Sequence, residues 1–186
     1  KIKHPKPIDS LTFYELNKHT DENHVFGYLN AISEGKSIGL LSEAGTPCVA
    51  DPGAKIVQIA HEKNIEVIPL IGPNSIILAL MASVFNGQHF TFHVYMPVDT
   101  QSLQKKIKEL ESNSRFQKET QIFIETPYRN NKLLSKLISA CKPDTKICVA
   151  TNLTLKDEFI KTKKIQQWKK ETVDLHKKPT VFLLYF

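Results

Sequence analysis

Three short stretches combine turn-forming residues with an acid, a cation or a helix start, and each follows an apolar run. The first, LLSEAGTPCVADPG at 40–53, places two glycines, two prolines and the acids Glu43 and Asp51 within fourteen residues. The second is IGPNSI at 71–76. The third, IETPYR at 124–129, joins an acid, Glu125, to a cation, Arg129. Small residues let a ligand approach the backbone, and free N–H groups at helix starts bind a carboxylate or phosphate. Each stretch taken alone also reads as ordinary turn chemistry.

The first stretch lacks the Gly-Lys-Ser/Thr ending of a phosphate-binding P-loop, and it is not GxGxxG. Glu43 and Asp51 would repel a nucleotide phosphate. A ligand with a positive centre and a carboxylate suits it better. S-adenosylmethionine, with a sulfonium, an amino-acid end and an adenosine, meets that description.

The elements that must hold these loops alternate. Strands are expected at 11–16, 37–41, 65–71, 90–95, 120–124, 146–150 and 180–185. Helices are expected at 21–33, 52–64, 74–84, 102–111, 130–141 and 165–169, with 112–119 as loop. This rhythm predicts an α/β fold with a mostly parallel sheet covered by helices. In such sheets ligands sit beyond the carboxyl ends of the strands, where all three stretches fall. The PVDT segment at 97–100 marks the expected boundary between an N-terminal domain, 1–96, and a C-terminal one, 97–186.

Charge changes at the same place. Residues 1–95 carry 7 Lys against 9 acids, and residues 96–186 carry 16 Lys and 2 Arg against 10 acids, so the net charge goes from −2 to +8. That asymmetry points to an anionic partner such as nucleic acid, or to a lysine-rich solvated surface. No apolar run is long enough to span a membrane. Cys48, Cys141 and Cys148 show no CxxC spacing, which argues against a disulfide framework or zinc site and fits a cytoplasmic protein. His89 and His93 would lie about 13 Å apart in a strand, too far for one metal, and no metal site is expected.

Five stretches now stand in order: SEAGTPCVADPG, VIPLIGPNSIILALMAS, FHVYMP, FIETPYRNNKLL and VATNLTLKDEFI. Together they resemble the tetrapyrrole methylase superfamily, the class III S-adenosylmethionine-dependent methyltransferases. Within it the resemblance runs to the branch that 2′-O-methylates a cytidine of small-subunit ribosomal RNA. That branch reads S-D-A-G-T-P, D-P-G, P-G-P-S-A, G-F-L-P and E-S-P-H-R at these places. Glu43, Asn74 and Tyr128 depart from it. The family also begins with a strand and a P-T-P-x-G-N loop that do not precede Lys1, so the chain is expected to be incomplete at its front.

The resemblance implies two α/β domains with S-adenosylmethionine in the cleft between them, and a homodimer. It implies cofactor contacts from Gly45, Thr46, Pro47 and Val49, from Ser75 and Ile76, from Glu125 and Thr126, from Ala150, Thr151, Asn152 and Leu153, and from Pro179 and Thr180. Tyr128 and Arg129 are the substrate candidates, although Arg129 can equally cap neighbouring carbonyls. Glu125 is the one candidate for a base that takes a ribose hydroxyl proton, and it reads also as a structural hydrogen-bond acceptor. Trp168 and Phe159 can stack on bases but read more simply as core. The lysines of KTKKIQQWKK, 161–170, read as RNA phosphate contacts or as a solvated helix face. The expected function is methylation of ribosomal RNA. The alternatives are a small-molecule methyltransferase, acting for example on a tetrapyrrole, and a non-catalytic binding module.

Overall fold

The computed structural model describes residues 7–17, 19–43 and 45–186, with only the backbone of Glu22 and Asn23. The chain divides into two compact units, Lys1–Pro73 and Asn74–Phe186.

The second unit is a sheet with helices on both faces. In chain order it contains α4 (Ser75–Ser83), β1 (Phe90–Tyr95), α5 (Thr100–Gln117), β2 (Thr120–Ile124), α6 (Asn130–Ala140), β3 (Lys146–Thr151), β4 (Phe159–Lys164), α7 (Ile165–Trp168) and β5 (Thr180–Tyr185). The strands lie in the order β1-β2-β5-β3-β4. β1 pairs with β2 in parallel, whereas β2–β5, β5–β3 and β3–β4 are antiparallel. The expected mostly parallel sheet is therefore corrected. β1, β2 and β3 do run the same way, as strands joined through helices should. β5 then inserts between β2 and β3 in the opposite sense.

β4 departs from the sequence reading, which gave its lysines either to RNA phosphates or to a solvated helix face. Its sequence, FIKTKK, has the lysine content that protects an edge strand from pairing further, and it occupies the edge beside β3. α5 also runs on through 112–117, where no element was expected. Its start is set by Asp99, whose carboxylate accepts the Ser102 N–H at 2.7 Å. Leu103, Ile107 and Leu110, spaced i, i+4, i+7, are 0–2% exposed. Burial of such side chains contributes about 1.5–3 kcal/mol each.

The two faces of the sheet follow the strand period of two. Ile147, Val149, Phe182 and Leu184 join Phe123 and Trp168 in the larger core cluster, with residues of α5 and α6. Cys148, Ala150, Val181 and Leu183 join Ile76, Ala79 and Leu80 of α4. Trp168 is 1% exposed and donates its indole N–H to the Ile147 carbonyl at 2.9 Å, so it is core. α4 and β1, which the sequence reading placed before a boundary at 97, pack with this second unit.

The first unit holds α1 (Glu22–Tyr28), α2 (Asn30–Ser33) and α3 (Ala54–Glu62) around Val25, Leu29, Ile56, Ile59 and Ala60. The single helix expected over 21–33 breaks into two at Leu29. The expected strands at 11–16, 37–41 and 65–71 have no ladder partner among the described residues. Leu41, Leu70 and Ile71 on them are at least 80% exposed. An apolar run has strand character, but it becomes a strand only where another strand accepts its hydrogen bonds.

Candidate functional site

The register brings one group of expected residues together. Ile124 pairs with Val181, and Thr151 pairs with Thr180. Glu125, Asn152 and Pro179 therefore leave the sheet at the same edge. The loops there are bonded to one another. The Asn152 N–H reaches the Pro179 carbonyl at 2.9 Å, and the Lys177 N–H reaches the Pro127 carbonyl at 3.1 Å. The Asn130 amide donates to the Lys178 carbonyl at 2.7 Å, and the Thr151 and Thr180 hydroxyls lie 3.1 Å apart. Ile76, Ala150 and Val181 share a core cluster, with Ile124 and Leu153 packed against it. The start of α4 and the ends of β2 and β3 are thus one neighbourhood. It holds Ile76, Glu125, Thr126, Ala150, Thr151, Asn152, Leu153, Pro179 and Thr180, with Ser75 at the first position of α4.

Glu125 organises the third stretch. Its side chain is 1% exposed and its Oε2 lies 2.9 Å from an Arg129 nitrogen. Its Oε1 accepts the Thr126 N–H at 2.7 Å. The same Arg129 nitrogen donates to the Pro97 carbonyl at 3.2 Å. The ion pair meets the distance for Oε2 without an aligned hydrogen bond, so that oxygen retains acceptor capacity. It and Asn130 Oδ1 are buried acceptors with no hydrogen-bond partner among the described residues. Tyr128, 70% exposed, meets His176 edge to face with ring centres 5.8 Å apart.

At the second stretch the helix start is already occupied. Asn74 Oδ1 accepts the N–H groups of Ile76 and Ile77 at 2.9 and 3.1 Å. Those two donors serve the helix cap. Asn74 and Asn130 were not singled out as polar partners in the sequence. A turn asparagine ahead of an apolar helix is the available signal for the first, and nothing local marks the second.

In the first unit the loop at 45–49 is shaped by Asp51. Its Oδ1 accepts the N–H groups of Gly53 at 2.8 Å and Cys48 at 3.2 Å, and its Oδ2 accepts the Ser42 hydroxyl at 2.9 Å. Burial pushes the Asp51 carboxyl up, but these bonds outweigh it and hold the group below its ordinary value. Gly45 sits at φ +76°, open to space on its side-chain side. A Cβ on Gly53 would lie 2.7 Å from both Asp51 Oδ1 and a Leu40 methyl, so a larger residue there would have to displace those two side chains. Thr46 and Pro47 are half-buried and Val49 is exposed.

Among the described residues no group of three or more His, Cys, Asp or Glu is placed to hold a metal ion. His89 lies 3.5 Å from Glu119 and His93 is bonded to Gln121 at 2.6 Å. No described helix is long and apolar enough to cross a membrane.

The pattern that defines the tetrapyrrole (corrin/porphyrin) methylases matches residues 7–168. The "Ribosomal RNA small subunit methyltransferase I" of Bacillus subtilis is 36% identical over 164 residues, covering 87% of this chain and 53% of that one. The protein of the same name from Vibrio cholerae is 31% identical over 153 residues, covering 82% and 51%. The chain spans about half the length of the curated relatives it matches. Among solved structures, diphthine synthase superposes with a TM-score of 0.62 at 17% identity, covering 91% of this chain and 67% of that one. The methyltransferase CobJ gives 0.61 at 18%, covering 97% and 77%. At such identities the likeness is one of fold.

Proposed function

The chain belongs to the tetrapyrrole methylase family, and from that premise we propose that it serves S-adenosylmethionine-dependent methylation of ribosomal RNA, at a ribose 2′-oxygen. The observation that carries this reading is the match over most of the chain to relatives named as small-subunit ribosomal RNA methyltransferases. The net charge of +8 in residues 96–186 supports it over a tetrapyrrole substrate, since a small ligand needs no extended positive surface.

The residues present fit the cofactor. Two buried acceptors, Glu125 Oε2 and Asn130 Oδ1, suit a ligand rich in N–H and O–H donors. An ammonium, ribose hydroxyls and an adenine amine are such donors. When bound, S-adenosylmethionine supplies a methyl group already activated by its sulfonium. The protein's task is then alignment and exclusion of water. We assign contacts to Glu125, Thr126, Ala150, Thr151, Asn152, Leu153, Pro179, Thr180, Ser75 and Ile76 of the second unit. Gly45, Thr46, Pro47 and Val49 of the first unit carry over from the family pattern.

Glu125 we read as a positioning residue. Its side chain is 1% exposed, its Oε1 is taken by the Thr126 N–H, and its Oε2 is paired with Arg129, whose guanidinium holds the Pro97 carbonyl. A base for the ribose hydroxyl needs an oxygen open to substrate. We further read the protein as a cytoplasmic homodimer: the three free thiols fit a reducing compartment, and the pairing is what the family resemblance implies.

The test is calorimetry with S-adenosylmethionine and its demethylated product. Micromolar affinity, about −8 kcal/mol, is expected, and it should weaken when Ser75 is made bulky. Absence of binding would overturn the reading. Mass spectrometry of ribosomal RNA from a deletion strain should then show one missing ribose methyl.

A further inference from the structure

The lysines of the second unit are not equivalent. On β4, Lys161 and Lys163 both face Glu171, and Lys164 pairs with Asp144 at 2.9 Å. A different group, at the end of α5, has no acid partner among the described residues. Arg115 lies over the rings of Phe116 and Phe186, at 5.8 and 4.9 Å from their centres. Lys142 lies over the Phe186 ring at 5.6 Å. Lys108 joins Arg115, Phe116 and Lys142 in lining one groove of about 310 Å³. Beside them, Lys146 covers Tyr185 at 5.8 Å.

The one acid in that groove is already used. Glu111 is 7% exposed, and its Oε1 accepts both the Lys142 N–H and the Thr145 hydroxyl. Aromatic faces hold the charged ends of Arg115, Lys142 and Lys146 but carry no net charge to neutralise them, so they remain able to meet an anion. Phe116 is 79% exposed, with a free face beside them. Cations that can meet phosphates, next to an aromatic face that can stack on a base, are the components of a single-strand nucleic-acid surface.

We infer that the groove at the end of α5 holds single-stranded RNA flanking the nucleotide to be methylated. Phosphates meet Lys108, Arg115 and Lys142, and a base stacks on Phe116. The surface lies at the start of β3, the opposite end from Thr151. A six-residue strand separates the two by about 17 Å, so the groove anchors substrate at a distance from the reacting atoms. This inference rests on the RNA reading above.

The experiment uses the purified protein, a fluorescent single-stranded RNA oligonucleotide and a salt series. The triple change Lys108→Gln, Arg115→Gln, Lys142→Gln should weaken binding at least about tenfold at low salt. It should lower the log–log salt slope by about 2, from three contacts at roughly 0.7 each. Phe116→Ala alone should weaken binding about fivefold or more with the slope unchanged, because stacking releases no counterions. Lys163→Gln with Lys164→Gln should change the slope less than the triple change. S-adenosylmethionine affinity and the rate at saturating RNA should match wild type throughout. If wild type binds RNA and the triple variant binds it equally with the same slope, the groove is wrong while the RNA reading stands. If wild type binds S-adenosylmethionine but no RNA, both fall. Binding of polyglutamate with no binding of RNA would give the surface to an acidic protein and overturn the inference.

Discussion

Two loops of this protein are each built on one carboxylate, and they differ mainly in burial. Asp51 shapes the loop at 45–53 from a half-buried position, taking two N–H groups and a hydroxyl. Glu125 shapes the loop at 125–129 with a side chain that is 1% exposed, and it takes one N–H group and a guanidinium. The same chemistry should have different weight in the two places. Near water, a lost bond is replaced by solvent. At the buried position, a removed carboxylate leaves a partly buried guanidinium that solvent replaces only in part.

The largest expected effect follows from that contrast. Glu125→Ala strands Arg129 beside the Pro97 carbonyl and should cost about 3 kcal/mol, the low end for breaking a buried pair, since Arg129 keeps 27% exposure. Glu125→Gln keeps an acceptor for the Thr126 N–H and should cost about half as much. Urea unfolding measures both. A cost below about 1 kcal/mol for the alanine would mean that the pair behaves as a surface pair, and the contrast with Asp51 would collapse.

The sequence exposed one loop better than the other. IETPYR shows its acid and its cation four residues apart, and the pair is present. In SEAGTPCVADPG, Asp51 was visible only as a charge that repels phosphate. Its role depends on a backbone fold in which the N–H groups of Cys48 and Gly53 converge, and no spacing rule announces that. The same limit appears in the sheet. Helix-linked β1, β2 and β3 were legible as co-directional strands. The placement of β5 between β2 and β3 depends on contacts from Gln121 to Leu184, far apart in the chain. β4 was hidden by its own charge, because lysines alternating with a threonine satisfy a helix face as readily as an edge strand. The strands expected in the first unit show the converse: apolar runs with strand character have no ladder partner among the described residues.

Asp51 supplies the second test, through pH. Its carboxyl is held below the ordinary value, so the folded state binds its proton less readily than the unfolded chain does. The stabilisation is fully present above the unfolded value, about 3.9. It is lost as pH falls through the lower folded value. Asp51→Asn should therefore cost about 1–2 kcal/mol near neutrality, and the gap to wild type should close below about pH 4. Glu119 shifts in the same direction: burial raises it, but bonds from Thr91 and Gln121 and the nearby His89 and His93 outweigh that. Wild type and variant share this second group, so the difference between their urea midpoints across pH isolates Asp51. A gap that persists unchanged to pH 3 would contradict the assignment.

Asn74 gives the smallest effect and the sharpest comparison, because it organises a loop without charge. Its amide oxygen caps α4 by accepting from Ile76 and Ile77, which is Asp51's task in neutral form. Asn74→Ala should cost about 0.5–1 kcal/mol. Asn74→Asp should recover that and add a few tenths, since a negative charge suits a helix start. The recovery should vanish as pH drops below the carboxylate range. The two changes also separate capping from ligand binding. If Ile76 meets the cofactor through its side chain and surroundings, both variants should bind S-adenosylmethionine as wild type does, apart from the stability change. If the cofactor's carboxylate instead competes for the Ile76 N–H, Asn74→Ala should tighten binding and Asn74→Asp should weaken it. Calorimetry on the three proteins distinguishes a loop whose donors are spent on the fold from one whose donors are shared with the ligand.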